Sequence, residues 1–268
     1  MATAAPLTSA LLACRALDVR YGDRWLVRSL HMRITAGERW ALVGPNGAGK
    51  TSLLQVLAGV RPPDGGTIEL SGQPLQHWSV EQLAELRAFV TDRWFDPFGV
   101  RALDTVMAAR YRMRGAASGA GRHDSQCERL ARQCLAAMDC EALAQRDVRQ
   151  LSRGERQRVA LAAGLAQETP LLLLDEPIAH QDPRHQVQVL QQLGARTACT
   201  YVGALHDINA AARFATHALL LTGDGSWQTG PSVSVLTQQR LSPLFGTEIV
   251  QIEVDSHRVF VSTGGVPS

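Results

Sequence analysis

Three short segments of the 268-residue chain combine residue types at spacings that could do chemistry. The first is Gly44-Pro45-Asn46-Gly47-Ala48-Gly49-Lys50-Thr51, which fits the phosphate-loop pattern of two glycines closed by Lys-Thr. Glycines let consecutive N–H groups turn toward an anion. The helix that follows adds partial positive charge at its start. Lys50 can reach a β- or γ-phosphate, and the Thr51 hydroxyl can ligate Mg²⁺. Lys50 is also the only lysine in the chain; the other 26 basic residues are arginines. An ammonium is compact and flexible where a guanidinium is a wide planar fork, so this position has a use for lysine in particular.

The second segment is Leu171-Leu172-Leu173-Leu174-Asp175-Glu176-Pro177. Four apolar residues read as a buried strand, and its C-terminal edge presents two carboxylates where open α/β sheets bind ligands. Asp175 is placed to hold Mg²⁺ through water. Glu176 is placed to take a proton from an attacking water, a role worth about 10²–10⁴-fold in rate. The third segment is Leu151-Ser152-Arg153-Gly154-Glu155-Arg156-Gln157-Arg158. Ser152 and Glu155 fit a capping box ahead of a helix. A small-residue loop at a helix start is also an anion site, but this segment taken alone reads as an ordinary capped helix.

Positioning these groups requires strands that end at one edge. Leu17–Tyr21 alternates, His31–Ile34 reads as a second strand, and Trp40–Val43 is an apolar run ending at Gly44. Thr51–Leu57 reads as a helix closed by Gly59 and Pro62. Thr67–Leu70, Tyr201–Leu205 and His217–Leu221 are further strands, and Val250–Val261 reads as a hairpin turning at Asp255-Ser256. The stretch from Leu83 to Leu165 reads mainly as helix, interrupted by a Gly/Ala/Ser loop at Gly115–Gly121. Strands alternating with helices predict a mostly parallel α/β sheet, and the helical block predicts an inserted subdomain.

Composition narrows the classes. Apolar residues at 45% and charged residues at 19% describe an ordinary globular chain. Twenty-seven basic against 25 acidic residues leave a net charge of +2, too even for a dedicated nucleic-acid or anionic-membrane binder. Arg110, Arg112 and Arg114 are spaced by two around a helix, so they read as solvated surface. Cys14, Cys127, Cys134, Cys140 and Cys199 are odd in number and lack Cys-x-x-Cys spacing, which fits reduced, structural thiols. No apolar run approaches the ~18 residues of a membrane span. Ala4–Cys14 has no basic segment before it, so a signal peptide is not expected.

Taken together, these residues resemble the ATP-binding subunit of an ABC transporter, over nearly the whole chain and in that family's order. The resemblance makes Gly44–Thr51 the Walker A loop, Leu171–Glu176 the Walker B strand with its catalytic glutamate, and Leu151, Ser152, Arg153, Gly154 and Glu155 the signature. It makes Asp182 the D-loop aspartate, His206 the switch histidine and Tyr21 the ring that stacks on adenine. The nucleotide-binding set it implies is Tyr21, Gly44, Pro45, Asn46, Gly47, Ala48, Gly49, Lys50, Thr51 and Ser52. ATP and Mg²⁺ are the implied ligands, with Thr51, Asp175 and Asp92 toward the metal. Two departures stand out. Arg153 replaces the first signature glycine, and Asp92 falls where the family has a Q-loop glutamine. Either Asp92 substitutes for that amide or the segment's register differs.

The resemblance implies one ABC ATPase domain over residues 1–268, with a nucleotide core and β subdomain at about 14–90 and 168–268. The helical signature subdomain falls at about 91–167. The expected fold is a P-loop NTPase core with an N-terminal antiparallel β subdomain and an inserted α-helical one. It further implies a homodimer on the cytoplasmic face of the cell membrane, held by permease subunits and served indirectly by an extracytoplasmic substrate-binding protein. No nucleic-acid partner is expected. The segment Asp92–Phe98, with aromatics beside charges, reads either as the permease contact or as core of the helical subdomain. Asp147–Ser152, Leu205–Ala211, Val235–Thr237 and Leu244–Gly246 are similar to importers of iron-siderophores, haem or cobalamin. Zinc or manganese import and a non-transport ABC ATPase are the alternatives, and a soluble P-loop kinase or GTPase would have no use for Leu151–Glu155.

Overall fold

A computed structural model describes residues 10–91, 99–111, 122–255 and 257–264. In chain order, β1 (Leu12–Tyr21) and β2 (Arg24–Ile34) form a hairpin, followed by β3 (Arg39–Val43) and α1 (Lys50–Leu57). Next come β4 (Gly65–Leu70), β5 (Gln73–Pro74), α2 (Val80–Leu86) and β6 (Arg87–Val90). The helices α3 (Ala102–Tyr111), α4 (Arg122–Ala137) and α5 (Arg153–Ala166) precede β7 (Leu171–Asp175). The chain continues through α6 (Pro183–Gly194), β8 (Thr200–Ala204), α7 (Ile208–Phe214), β9 (His217–Leu221) and β10 (Trp227–Pro231). It closes with α8 (Ser232–Val235), α9 (Gln238–Phe245), β11 (Ile249–Val254) and β12 (His257–Ser262).

A six-stranded sheet in the order β10-β9-β3-β8-β7-β6 forms the centre. All its strands are parallel except β10, which runs antiparallel to β9. Apolar residues occupy both faces, as strands covered on two sides require. Leu172 and Leu174 of β7, with Ala41 and Val43 of β3, join the core shared with α3, α4 and α5. Their neighbours Leu171, Leu173, Trp40 and Leu42 face the opposite way, toward α1 and the N-terminal sheet. That second sheet has four antiparallel strands in the order β2-β1-β4-β5. The expected fold class is therefore the observed one, with the antiparallel subdomain and the helical insertion in place.

Three readings need correction. Arg87–Val90 is not part of a helical block; it is a strand paired in parallel with Leu171–Leu174 at the sheet's edge. The three apolar residues Ala88–Val90 are too short a run to be told from helix by periodicity, and here the sheet decides. The first two strands are longer than the alternation suggested, since β1 starts at Leu12 and β2 at Arg24. Arg110 is not solvated surface: it pairs with Glu168 and donates to the Ala166 carbonyl. The terminal hairpin is present as β11 and β12. Asp92–Phe98, Gly115–Gly121, Arg112, Arg114 and Ser256 lie outside the described residues. All five cysteines are free, and burial pushes the Cys14 thiol up to about 12. Among the described residues no helix is long and apolar enough to cross a membrane.

Candidate functional site

The C-terminal ends of β3, β7 and β8 are stitched together. The Leu205 N–H donates to the Leu42 carbonyl at 3.1 Å, and the Glu176 N–H donates to the Ala204 carbonyl at 3.2 Å. This edge therefore gathers the Gly44–Thr51 loop, the two carboxylates after β7 and the histidine after β8. A cleft of about 390 Å³ opens there, lined by residues of the loop together with Tyr21, Arg24, Leu26, Glu176 and His206.

The loop's shape follows from its glycines. Gly47 and Gly49 have φ of 76° and 101°, in the region that side chains disfavour. A Cβ on Gly49 would also lie 2.7 Å from the Leu26 Cβ. Gly49 leads into α1, whose start has no side-chain cap, so its first N–H groups face the cleft without an internal acceptor. That is the chemistry of an anion cradle. Lys50 is only 6% exposed. Its Nζ curls back over the loop and donates to the Gly44 and Pro45 carbonyls at 2.7 and 3.0 Å. Burial holds the ammonium below the usual lysine range, and Glu176 and Asp175 partly offset that.

Two pairs of side chains converge beside the loop. The Thr51 hydroxyl donates to Asp175 Oδ1 at 3.0 Å. Asp175, the last residue of β7, is 5% exposed. A hydroxyl and a carboxylate side by side are the hard oxygen donors that Mg²⁺ takes from protein, with water and substrate phosphates supplying the rest. The second pair is Glu176 and His206, with Oε1 and Nε2 2.5 Å apart. Glu176 has a φ of 52°, so the chain turns sharply after Asp175 and sends its two carboxylates to different partners.

The signature segment lies elsewhere: its residues do not line this cleft. Ser152 caps α5 in the expected box, accepting the Glu155 N–H at 3.3 Å while Glu155 Oε2 accepts the Ser152 N–H at 2.8 Å. Bonds from the Ser152 N–H and hydroxyl hold the Glu155 carboxyl below its usual range. Leu151 is buried beneath the helix start, whereas Ser152 and Arg153 are exposed. Gly154 packs so tightly that a Cβ would lie 2.7 Å from the His180 carbonyl oxygen. The segment thus touches the loop that runs from Glu176 to Asp182. Asp182 caps α6 and accepts from the His185 N–H and Nδ1 at 3.0 and 2.7 Å. The bonds from His185 depress its carboxyl.

Tyr21, Asn46, Ser52, Thr51, Lys50, Glu176 and His206 come together as the sequence suggested. Asp92 lies outside the described residues. Arg24 and Leu26 were not anticipated in the cleft. The signal for Arg24 is the tight Tyr21–Arg24 turn, which sets it directly opposite Tyr21.

The comparisons with known proteins agree with this geometry. The family model described as ABC transporter matches residues 27–179, more than half of the chain. The hemin import ATP-binding protein HmuV of Thermobifida fusca (strain YX) is 36% identical over 249 residues, covering 92% of this chain and 85% of that protein. The iron(3+)-hydroxamate import ATP-binding protein FhuC of Bacillus subtilis (strain 168) is 32% identical over 237 residues, covering 87% of each. Among solved structures, an inward-facing metal-chelate type ABC transporter superposes with a TM-score of 0.79 at 27% identity, over 95% of this chain and 98% of that one. With the fold, the phosphate loop and these matches in agreement, the chain belongs to the ABC transporter family as one of its ATP-binding, ATP-hydrolysing proteins.

Proposed function

We propose that this chain is the motor subunit of an importer for a metal chelate of the iron-siderophore, haem or cobalamin class. It binds ATP between two copies of itself and passes the resulting movement to permease subunits at the cytoplasmic face of a membrane. The observation that supports this most is the convergence of the Thr51–Asp175 and Glu176–His206 pairs on one glycine loop at one sheet edge. The cargo class rests on the likeness to the haemin and iron-hydroxamate proteins.

In this reading the adenine lies on Tyr21, whose ring is 73% exposed on the cleft. The phosphates occupy the cradle of Gly44, Pro45, Asn46, Gly47, Ala48 and Gly49. Lys50 exchanges its two carbonyl acceptors for phosphate oxygens, which makes charge-assisted bonds from neutral ones. Ser52 donates from the first turn of α1. Thr51 and Asp175 would hold Mg²⁺, which would supply neutralisation of the phosphate charge. Glu176 takes one proton from a water. The water oxygen bonds to the γ-phosphorus, the bond to the bridging oxygen breaks, and the electron pair leaves on ADP. His206 fixes the Glu176 carboxylate through its Nε2 contact and faces the same phosphoryl group.

Ser152, Arg153, Gly154 and Glu155 serve the nucleotide of the other copy. Half an anion site that lies off its own cleft needs a facing half, and a second chain supplies it. Asp182 sits beside that junction at the start of α6. A groove lined by Val60, Val80, Ala84, Phe89, Ala108 and Ala160 flanks the point where the chain enters residue 92. Its apolar lining and the exposure of Val60 and Val80 suit a permease segment. The test is uptake of labelled haem, ferric hydroxamate and cobalamin by cells lacking this chain. Loss of one uptake, restored by the wild-type chain and not by Glu176→Gln, supports the proposal. Unchanged uptake of all of them refutes the cargo assignment.

A further inference from the structure

Arg24 stands opposite Tyr21 in the last pair of the β1–β2 hairpin. Directly opposed residues of an antiparallel pair project from one face about 5 Å apart. Both line the cleft. The Arg24 guanidinium is anchored, since its Nε donates to the Gly223 carbonyl at 2.8 Å. A Cβ placed on Gly223 would lie 2.8 Å from a terminal nitrogen of Arg24 and 3.2 Å from the Ala48 Cα. The guanidinium therefore lies on the β9–β10 loop, on the side of Gly223 that also faces Ala48 of the phosphate loop. No ion pair among the described residues involves Arg24.

Of the residues lining the cleft, only Lys50 and Arg24 are permanent cations. Lys50 sits at the end of the loop that faces Asp175 and Glu176. Arg24 is held on the β9–β10 loop, directly opposite Tyr21 in the hairpin. A nucleotide whose base lies on Tyr21 and whose terminal phosphates lie at Lys50 must carry its ribose and first phosphate past Arg24. The neighbouring Asn46 and Ser52 are neutral, so the negative charge of that first phosphate otherwise has no cation near it.

We propose that Arg24 binds the α-phosphoryl group of the bound nucleotide. This rests on the reading of the cleft given under the proposed function. The contact is common to ADP and ATP, so it raises the affinity for both and slows release of the product as much as of the substrate. Gly223 serves as its anchor, holding the planar fork in place before the nucleotide arrives.

The experiment is calorimetry on the full chain with ADP and with a non-hydrolysable ATP analogue. Arg24→Gln is expected to weaken both ligands alike, by about tenfold, the loss typical of one partly exposed charged hydrogen bond. Arg24→Lys restores the charge without the Nε bond to Gly223 and is expected to recover most of the loss. Unchanged affinity in Arg24→Gln overturns the proposal. So does a loss confined to the ATP analogue, which would place the contact at the γ-phosphate. An Arg24→Lys variant as weak as Arg24→Gln also overturns it, because Arg24 would then act only through Gly223. Lys50→Ala is the control: if it binds both ligands like the wild type, the reading of the whole cleft fails, whatever Arg24 does.

Discussion

Glu176 Oε1 and His206 Nε2 lie 2.5 Å apart, one just past the end of β7 and the other just past the end of β8. Asp175 and Ala204 are the last paired residues of those strands, so the sheet register sets this contact. In the proposed reaction His206 acts on the carboxylate that receives the proton. His206→Ala is expected to lower kcat about tenfold or more while KM for ATP stays within about twofold. Steady-state phosphate release measures both, and an unchanged kcat would remove His206 from the reaction.

The Lys50 ammonium is buried against its own loop, and burial is the larger influence on its proton affinity. A lysine whose folded pKa is lowered binds fewer protons folded than unfolded between the two values. Stability therefore rises with pH through that window, and at neutral pH the group costs the nucleotide-free protein stability. Lys50→Met should unfold at or above the wild-type temperature while losing about a hundredfold in ATP affinity, roughly 3 kcal/mol. Thermal denaturation with calorimetry tests this, and a lower midpoint with ATP binding intact would contradict it.

Ser152 and Glu155 close α5 reciprocally. Ser152→Ala should cost about 1 kcal/mol of stability, or about 2–4 °C in midpoint. The Glu155 carboxyl is depressed by bonds from the Ser152 N–H and hydroxyl. Its contribution is complete above the usual glutamate range and is lost as pH falls through the lowered folded value. The gap in midpoint between Glu155→Gln and wild type should therefore narrow in acid. A gap that widens as pH falls would count against the box as the source.

Gly154 has no room for a methyl group, because the His180 carbonyl oxygen would lie 2.7 Å from it. Gly154→Ala must displace either the α5 start or the loop to Asp182, at about 1–3 kcal/mol. ATP turnover should fall at least tenfold while binding by the isolated chain changes little, since the segment does not line its own cleft. Retained turnover would show that this helix start is not part of the reaction.

How much the sequence reveals depends on the range of the interactions involved. The Gly44–Thr51 loop and Leu171–Glu176 are local: glycines set the bend, and four leucines form a strand that can only be buried on both faces. Both were legible from spacing alone. The capping box at Ser152 was legible for the same reason. By contrast, Arg87–Val90 becomes a strand because Leu171–Leu174, far along the chain, offers an open edge. Its own signal is only the short apolar run Ala88–Val90, which a helix and a strand share. Arg110 looked like solvated charge until the fold brought Glu168 and the Ala166 carbonyl to it. Arg24 entered the cleft through the register of the hairpin turn, and its anchor Gly223 comes from the opposite end of the chain.

The central claim is that Glu176 takes the proton that makes hydrolysis, and with it separation of the paired copies, possible. The most direct measurement combines phosphate release with light scattering for Glu176→Gln in the presence of ATP and Mg²⁺. The account predicts retained ATP affinity, turnover lower by about 10²-fold or more, and a stable ATP-dependent dimer. Wild-type turnover, or a variant that stays monomeric at saturating ATP, would contradict it.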